Sequence, residues 1–243
     1  MGSLRCAYAS SIHELSYHRF IDSEADLDAA IKALLPLSQV PALAYPELVK
    51  SGAITQLIGL LTHENVDIVI DVVEVLKELT DEDVGNEEEE MEEGEGTKED
   101  GLKILLDGLV RSTPLTILNA DVSSQLENSA LELLVSNMAR FKEEEESDRQ
   151  GIYHTLGIFE NVIGIQPSLA RNLVSATSLL KWLLNRITAK KLDENRGYSS
   201  EIIAILLQSD RLNRLEFGKL NGVDICLQIL SVSDVLTFGS TAC

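Results

Sequence analysis

The chain has 243 residues, with 40 acidic against 20 basic side chains and a net charge of -20. That balance argues against direct nucleic-acid binding, because no excess of Lys and Arg is available to displace phosphate counterions. It suits basic protein partners. Hydrophobic residues make up 44% of the chain but aromatics only 5%, so the apolar material is mostly Leu, Ile, Val and Ala, which favours helix packed on helix. Cys6, Cys226 and Cys243 have no informative spacing and no N-x-[ST] site occurs, a pattern of reducing intracellular compartments. The longest aliphatic run, Ile202 to Leu207, is too short to span a bilayer.

Residues 1 to 20 have little periodicity and read as a poorly ordered leader. Within it, His13-Glu14-Leu15-Ser16-Tyr17-His18 is H-E-x-x-x-H. The zinc-binding motif needs both histidines one turn apart, and five residues at roughly 100° each put the second ring about 140° away, so no metal site is expected. Asp22-Ser23-Glu24 can cap a helix with Leu27, Ile31, Leu34 and Leu35 on one face; Pro36 and Pro41 then break the pattern. Pro46 is expected to open a short helix that ends at Ser51-Gly52.

Gly52-Ala53-Ile54-Thr55-Gln56-Leu57-Ile58-Gly59-Leu60-Leu61 has the apolar spacing of a short helix after a glycine. The same shape returns at Gly222-Val223-Asp224-Ile225-Cys226-Leu227, with looser copies at Gly101-Leu102-Lys103-Ile104-Leu105-Leu106 and from Ala176 to Leu184. The steps Gly52 to Gly101 and Ala176 to Gly222 are 49 and 46 residues. A period in that range indicates stacked helical units. The expected fold is therefore all-α, a right-handed helical solenoid of armadillo or HEAT type. Val66, Val69, Ile70, Val73, Leu76 and Leu79 recur at steps of three and four, widened by Val72 and Val75, and mark a long inner helix capped by Asn65 or Asp67.

The segment from Asp81 to Asp100 holds 12 acidic residues and one base, Lys98. Without an apolar face it reads as a solvated, disordered loop between helices. Glu87, Glu88, Glu89 and Glu90 within it are candidate electrostatic lures for a basic partner. Periodicity resumes over Gly101 to Val110, Leu126 to Phe141 and Ile152 to Ile165, and the run Glu143 to Glu146 suits the first turn of a helix. After Pro167 come further helical patterns over Leu169–Val174, Leu179–Ile187, Ile202–Leu207 and Gly222–Leu230; residues 233 to 243 read as an irregular tail. Residues 21 to 232 thus form the repeat region.

No chemistry-bearing constellation emerges. Gly94-Glu95-Gly96-Thr97-Lys98 lacks the phosphate-loop spacing, no G-x-S-x-G elbow occurs, and Cys226 sits in an apolar helix pattern. The reading is a protein without catalytic residues, cofactor or metal, not an enzyme. Trp182 and the lone His63 and His154 read as structural residues. Asn137, Asn161 and Asn185 are of more interest, because a carboxamide on an inner helix can both donate to and accept from an extended partner backbone; Asn161 is the candidate partner-binding residue.

Several phrases, in order, resemble the beta-catenin-like family of armadillo-type proteins. They are Arg19 to Leu27, Leu57 to Ile68, Leu76 to Asp81, His154 to Asn161, Leu180 to Leu184 and Glu201 to Gln208, spread over residues 19 to 232. The resemblance implies a nuclear protein associated with the spliceosome, particularly the nineteen complex with its Myb-like cell-division-cycle subunit, that recognises basic localisation-type segments of splicing factors. It also implies departures: the acidic insertion from Val84 to Gly96 is expanded, the family's basic N-terminal extension is absent, and the family continues through further repeats, so this chain is expected to be a stack truncated at its C-terminus. The alternative is an armadillo-type adaptor in protein turnover or nuclear transport with no splicing role.

Overall fold

The structure, a computed structural model, describes residues 23–83, 97–111 and 129–238. Every regular element among them is helical. Helix α1 covers residues 23–32, and a short 3-10 helix follows at Leu35–Gln39. Then come α2 (Pro41–Lys50), α3 (Ala53–Leu60), α4 (Val66–Thr80), α5 (Lys98–Arg111), α6 (Ala130–Met138) and α7 (Glu146–Ile165). The second half holds α8 (Leu169–Ala176), α9 (Leu179–Ile187), α10 (Glu194–Ser209), α11 (Arg211–Lys219) and α12 (Gly222–Phe238).

The elements fall into units of three, of which the third is the longest. In α2-α3-α4, α5-α6-α7 and α8-α9-α10 the long third helix packs on its counterpart in the next unit, α4 on α7 and α7 on α10. One continuous core runs through the stack, from Ile31 through Ile58, Val72 and Val75 to Phe159, Leu183 and Leu206. Helix α4 buries much of its circumference because it has neighbours on several sides: Ile68, Val69, Val72, Val73, Val75, Leu76 and Leu79 are all buried. Its start is fixed by Asn65, whose Oδ1 accepts from the backbone N–H of Asp67 at 3.0 Å.

The structure corrects the chain reading at several points. The helix after the first break begins at Pro41, a residue suited to a first turn that needs no N–H, and Pro46 lies inside it. Helix α5 begins at Lys98, so the acidic segment ends in a helix start: the Thr97 Oγ1 donates to Asp100 Oδ2 at 2.8 Å and accepts from the Asp100 N–H at 3.2 Å, while Asp100 Oδ2 accepts from the Thr97 N–H at 3.2 Å. Helix α12 continues to Phe238, through most of the expected tail. Residues 1–22, including the leader and its two histidines, lie outside the described residues, as do 84–96, 112–128 and 239–243.

The recurring phrase also changes. The helices that hold the second place in their units are α3, α6, α9 and α12, whereas the Gly101 phrase lies on α5, a first helix, packed across α2. Segments 84–96 and 112–128 lengthen the second unit and put the wrong helix at the expected interval. At the other copies the register differs by one. Gly52, with φ +79°, precedes α3 in the left-handed region that glycine enters freely; before α12 the left-handed residue is Asn221, φ 57°.

Candidate partner-binding face

The α4–α7–α10 layer gathers polar residues that the sequence scatters from Glu74 to Glu201. Asn161, on α7, turns its carboxamide inward: Nδ2 donates to the Lys77 carbonyl at 3.3 Å and to Thr80 Oγ1 at 3.2 Å, at the end of α4. The same device recurs between other helices. Asn137 Nδ2 donates to the Leu61 carbonyl at 2.9 Å, Asn195 Nδ2 to the Arg149 carbonyl at 2.9 Å, and Asn213 Nδ2 to the carbonyls of Ala170 at 3.1 Å and Leu206 at 3.0 Å. Each side chain supplies a donor to a carbonyl that the helix itself leaves unsatisfied, or ties one helix to the next. Asn185 is exposed at the end of α9. Glu87 to Glu90 lie outside the described residues.

Beside Asn161 the face carries an aromatic pair. Tyr153 of α7 and Tyr198 of α10 stack with ring centroids 5.1 Å apart, tilted by 53°, and the Tyr198 hydroxyl donates to Glu160 Oε2 at 2.5 Å. Gly157 lets this happen: a Cβ there would lie 3.2 Å from Lys77 Cγ and 3.4 Å from the Tyr198 oxygen. Burial, reinforced by Glu160, holds the Tyr198 hydroxyl well above the ordinary phenol range, so it stays a donor. His154 stands edge-on to Tyr153 with centroids 6.1 Å apart; burial pushes its imidazole below the ordinary range against the pull of nearby Glu74, so it is neutral at physiological pH. Lys77 of this face is bonded to Asp81 at 2.5 Å, and Arg149 and Lys191 line the cavity beside Tyr153. With Glu74, Glu78, Glu160 and Glu201 also on this layer, the face is acidic.

Sequence reasoning missed the tyrosines. The available signal was the period: Tyr153 and Tyr198 are 45 residues apart, close to one repeat, which places them on neighbouring long helices.

A second acidic group ties α1 to the stack. Lys32 pairs with both Asp28 and, at 2.9 Å, Asp71 of α4. Burial pushes the Asp71 carboxyl up to about 6; Lys32 opposes the shift and Asp28 adds to it. A carboxyl whose folded pKa lies above its unfolded value binds more protons when folded, so its contribution to stability improves as pH falls from about 6 to about 4. Asp28, held low first by Lys32, acts below that window. We expect Asp71→Asn to raise the melting temperature relative to the unmodified protein more at pH 7 than at pH 4, and carboxyl NMR to give Asp71 a midpoint about 6. An Asp71 midpoint near the ordinary carboxylate value would contradict this.

Comparison with known proteins agrees with this architecture. Residues 11–233 match the family described as catenin-beta-like, Arm-motif containing, nuclear. The chain belongs to this family. It is 36% identical to beta-catenin-like protein 1 of Homo sapiens and of Rattus norvegicus over 215 residues, 88% of this chain and 33% of either relative. It is 33% identical to the beta-catenin-like protein 1 homolog of Schizosaccharomyces pombe over 221 residues, 90% of this chain and 34% of the relative. The chain thus spans about a third of the length of these relatives. The catenin-beta-like family is a nuclear Arm-motif family.

Proposed function

We propose that this catenin-beta-like chain is a non-enzymatic scaffold of pre-mRNA splicing that binds basic segments of splicing factors, with proteins of the spliceosomal nineteen complex among its partners. The observation that carries the binding part is the acidic face of the long-helix layer, where Glu74, Glu78, Glu160 and Glu201, with Glu146, Asp193 and Glu194 of the cavity beside Tyr153, outnumber Lys77, Arg149 and Lys191. It stands on a chain of net charge -20, which attracts cationic partners over a Debye length and orients them on approach. The acidic run at Glu87 to Glu90 adds to that field as a lure, and Asn161, whose amide nitrogen is taken up by α4, would contact a partner through its oxygen alone. The splicing part rests on family membership and on the likeness to beta-catenin-like protein 1.

The test is capture of a Lys/Arg-rich localisation-type peptide at rising salt, followed by co-purification from nuclear extract. Binding that weakens steeply with salt, with splicing subunits in the purified material, is the expected result. Salt-independent binding sinks the electrostatic mechanism. Transport or turnover factors in place of splicing subunits would favour the adaptor reading.

A further inference from the structure

We propose that the Tyr153–Tyr198 pair, with Glu160 and Glu201 beside it, is the seat for one lysine or arginine side chain of a basic protein segment. This rests on the proposed function above and adds a location to it. Tyr153 is 41% exposed, unusual for an aromatic ring in a chain with so few. Its position is not loose: Tyr198 supports one side of it, His154 meets its edge, and the Tyr198 hydroxyl is locked to Glu160. An exposed ring held rigid by its neighbours presents a fixed face, and the negative face of a tyrosine attracts an ammonium or guanidinium group.

The surrounding charges select for a cation. Glu160 and Glu201 of α7 and α10 lie at the Tyr198 side, and the field of Glu201 reaches its hydroxyl. Glu74 and Glu78 of α4 act on His154 from the other side. Lys77 runs its stem over Gly157 and pairs its ammonium with Asp81; its field reaches Glu78, and its ion pair is with Asp81 and not with Glu74, Glu160 or Glu201. His154 is held neutral and adds no positive charge. There is also room. A cavity of about 660 Å³ opens at Tyr153, lined by Gln150, His154, Glu146, Glu194 and Asn195 together with Arg149, Lys191 and Asp193. That volume takes the long stem of a lysine or arginine; in its lining Glu146 is paired with Arg149 and Asp193 with Arg186, which leaves Glu194 as the carboxylate for an incoming cation. Such a segment crosses the helix layer, places one cationic head over Tyr153, and leaves its other cations to the long-range field.

The experiment uses the full chain and a labelled peptide with a continuous Lys/Arg run, read by fluorescence anisotropy across a salt series. Tyr153→Phe keeps the ring and is expected to bind as the unmodified protein does. Tyr153→Leu keeps apolar area but removes the ring face, and is expected to weaken binding about threefold to tenfold without changing the salt dependence. Glu201→Gln, a change at an exposed position, is expected to weaken binding and to flatten the salt dependence. If the unmodified protein binds and both Tyr153→Leu and Glu201→Gln bind equally well, this seat is wrong while the basic-segment reading stands. If the unmodified protein fails to bind the peptide even at low salt, the basic-segment reading falls and takes the seat with it.

Discussion

Replacing Arg186 with alanine will lower the melting temperature by about 10 °C, from a loss of about 3 to 5 kcal/mol at roughly 2 to 4 °C per kcal/mol for a chain of this size. Arg186 lies at the end of α9, 8% exposed. Its Nε donates to Glu143 Oε1 at 2.8 Å, and its Nη2 lies 2.6 Å from both Glu143 Oε2 and Asp193 Oδ1. Glu143 sits in the turn before α7 and Asp193 is the cap of α10, where the same Oδ1 accepts from the Arg196 N–H at 3.0 Å. One guanidinium therefore fastens three segments of two adjacent units. Removing it leaves two partly buried carboxylates, Glu143 and Asp193, facing one another without their cation, and an uncompensated charge there costs more than the pair contributes. The drop should persist at high salt, since buried pairs are weakly screened. Arg186→Ala combined with Glu143→Gln should recover part of the loss, a coupling that a double-mutant cycle measures. A change of less than about 2 °C for Arg186→Ala would show that the three segments hold together without it.

Arg186 also marks the limit of what the chain could reveal unaided. The periodic helices were legible because core burial writes a three-and-four spacing into the sequence: Val66 to Leu79 became α4 almost residue for residue, whereas of the run Glu143 to Glu146, expected in a first helical turn, Glu146 alone lies in α7 and the other three lead up to it. Pairings between units leave no such trace. Glu143 and Arg186 are 43 residues apart, and nothing local in either distinguishes a buried ion pair from a solvated charge. The run from Glu143 to Glu146 was legible as a helix start and not as half of a salt bridge.

The candidate site was legible to the same degree. The acidic character of the chain pointed to a cationic partner, and Asn161 was marked on an inner helix, but its inward donor pairing to α4 depends on how α7 lies against Thr80 and Lys77. Tyr153 and Tyr198 meet because the long helices stack, which is a property of the repeat and not of either neighbourhood. Where the repeat was distorted, the reading slipped. The extra residues of the second unit carried the Gly101 phrase into the place where a second helix was expected, and only packing tells a first helix from a second.

That packing gives the other large effect. Gly101→Val should lower the melting temperature by about 6 to 12 °C, from about 3 kcal/mol of overpacking. Helix α5 crosses α2 at Gly101 and Gly108, seven residues and two turns apart on one face. A Cβ at Gly101 would lie 2.5 Å from the Pro41 carbonyl oxygen and 2.8 Å from its carbon. Both are backbone atoms at the start of α2, so no rotamer change relieves the overlap and α5 must move away. At Gly108 the nearest atoms are Val49 Cγ2 at 2.8 Å and Cγ1 at 3.3 Å, a half-buried side chain that can shift by a few tenths of an ångström where the Pro41 backbone cannot. Alanine is favoured over glycine inside a helix by about 1 kcal/mol, so the two sites should part company: Gly108→Ala near neutral, Gly101→Ala destabilising despite its better propensity, Gly101→Val more so. Because α2 and α3 belong to the first unit, amide exchange in Gly101→Val should rise first in Pro41–Lys50 and Ala53–Leu60, while α9 and α10 keep their protection, as neighbour-limited coupling in a stack requires. Equal melting of Gly101→Ala and Gly108→Ala would show that the two glycines serve only the helix and not its crossing.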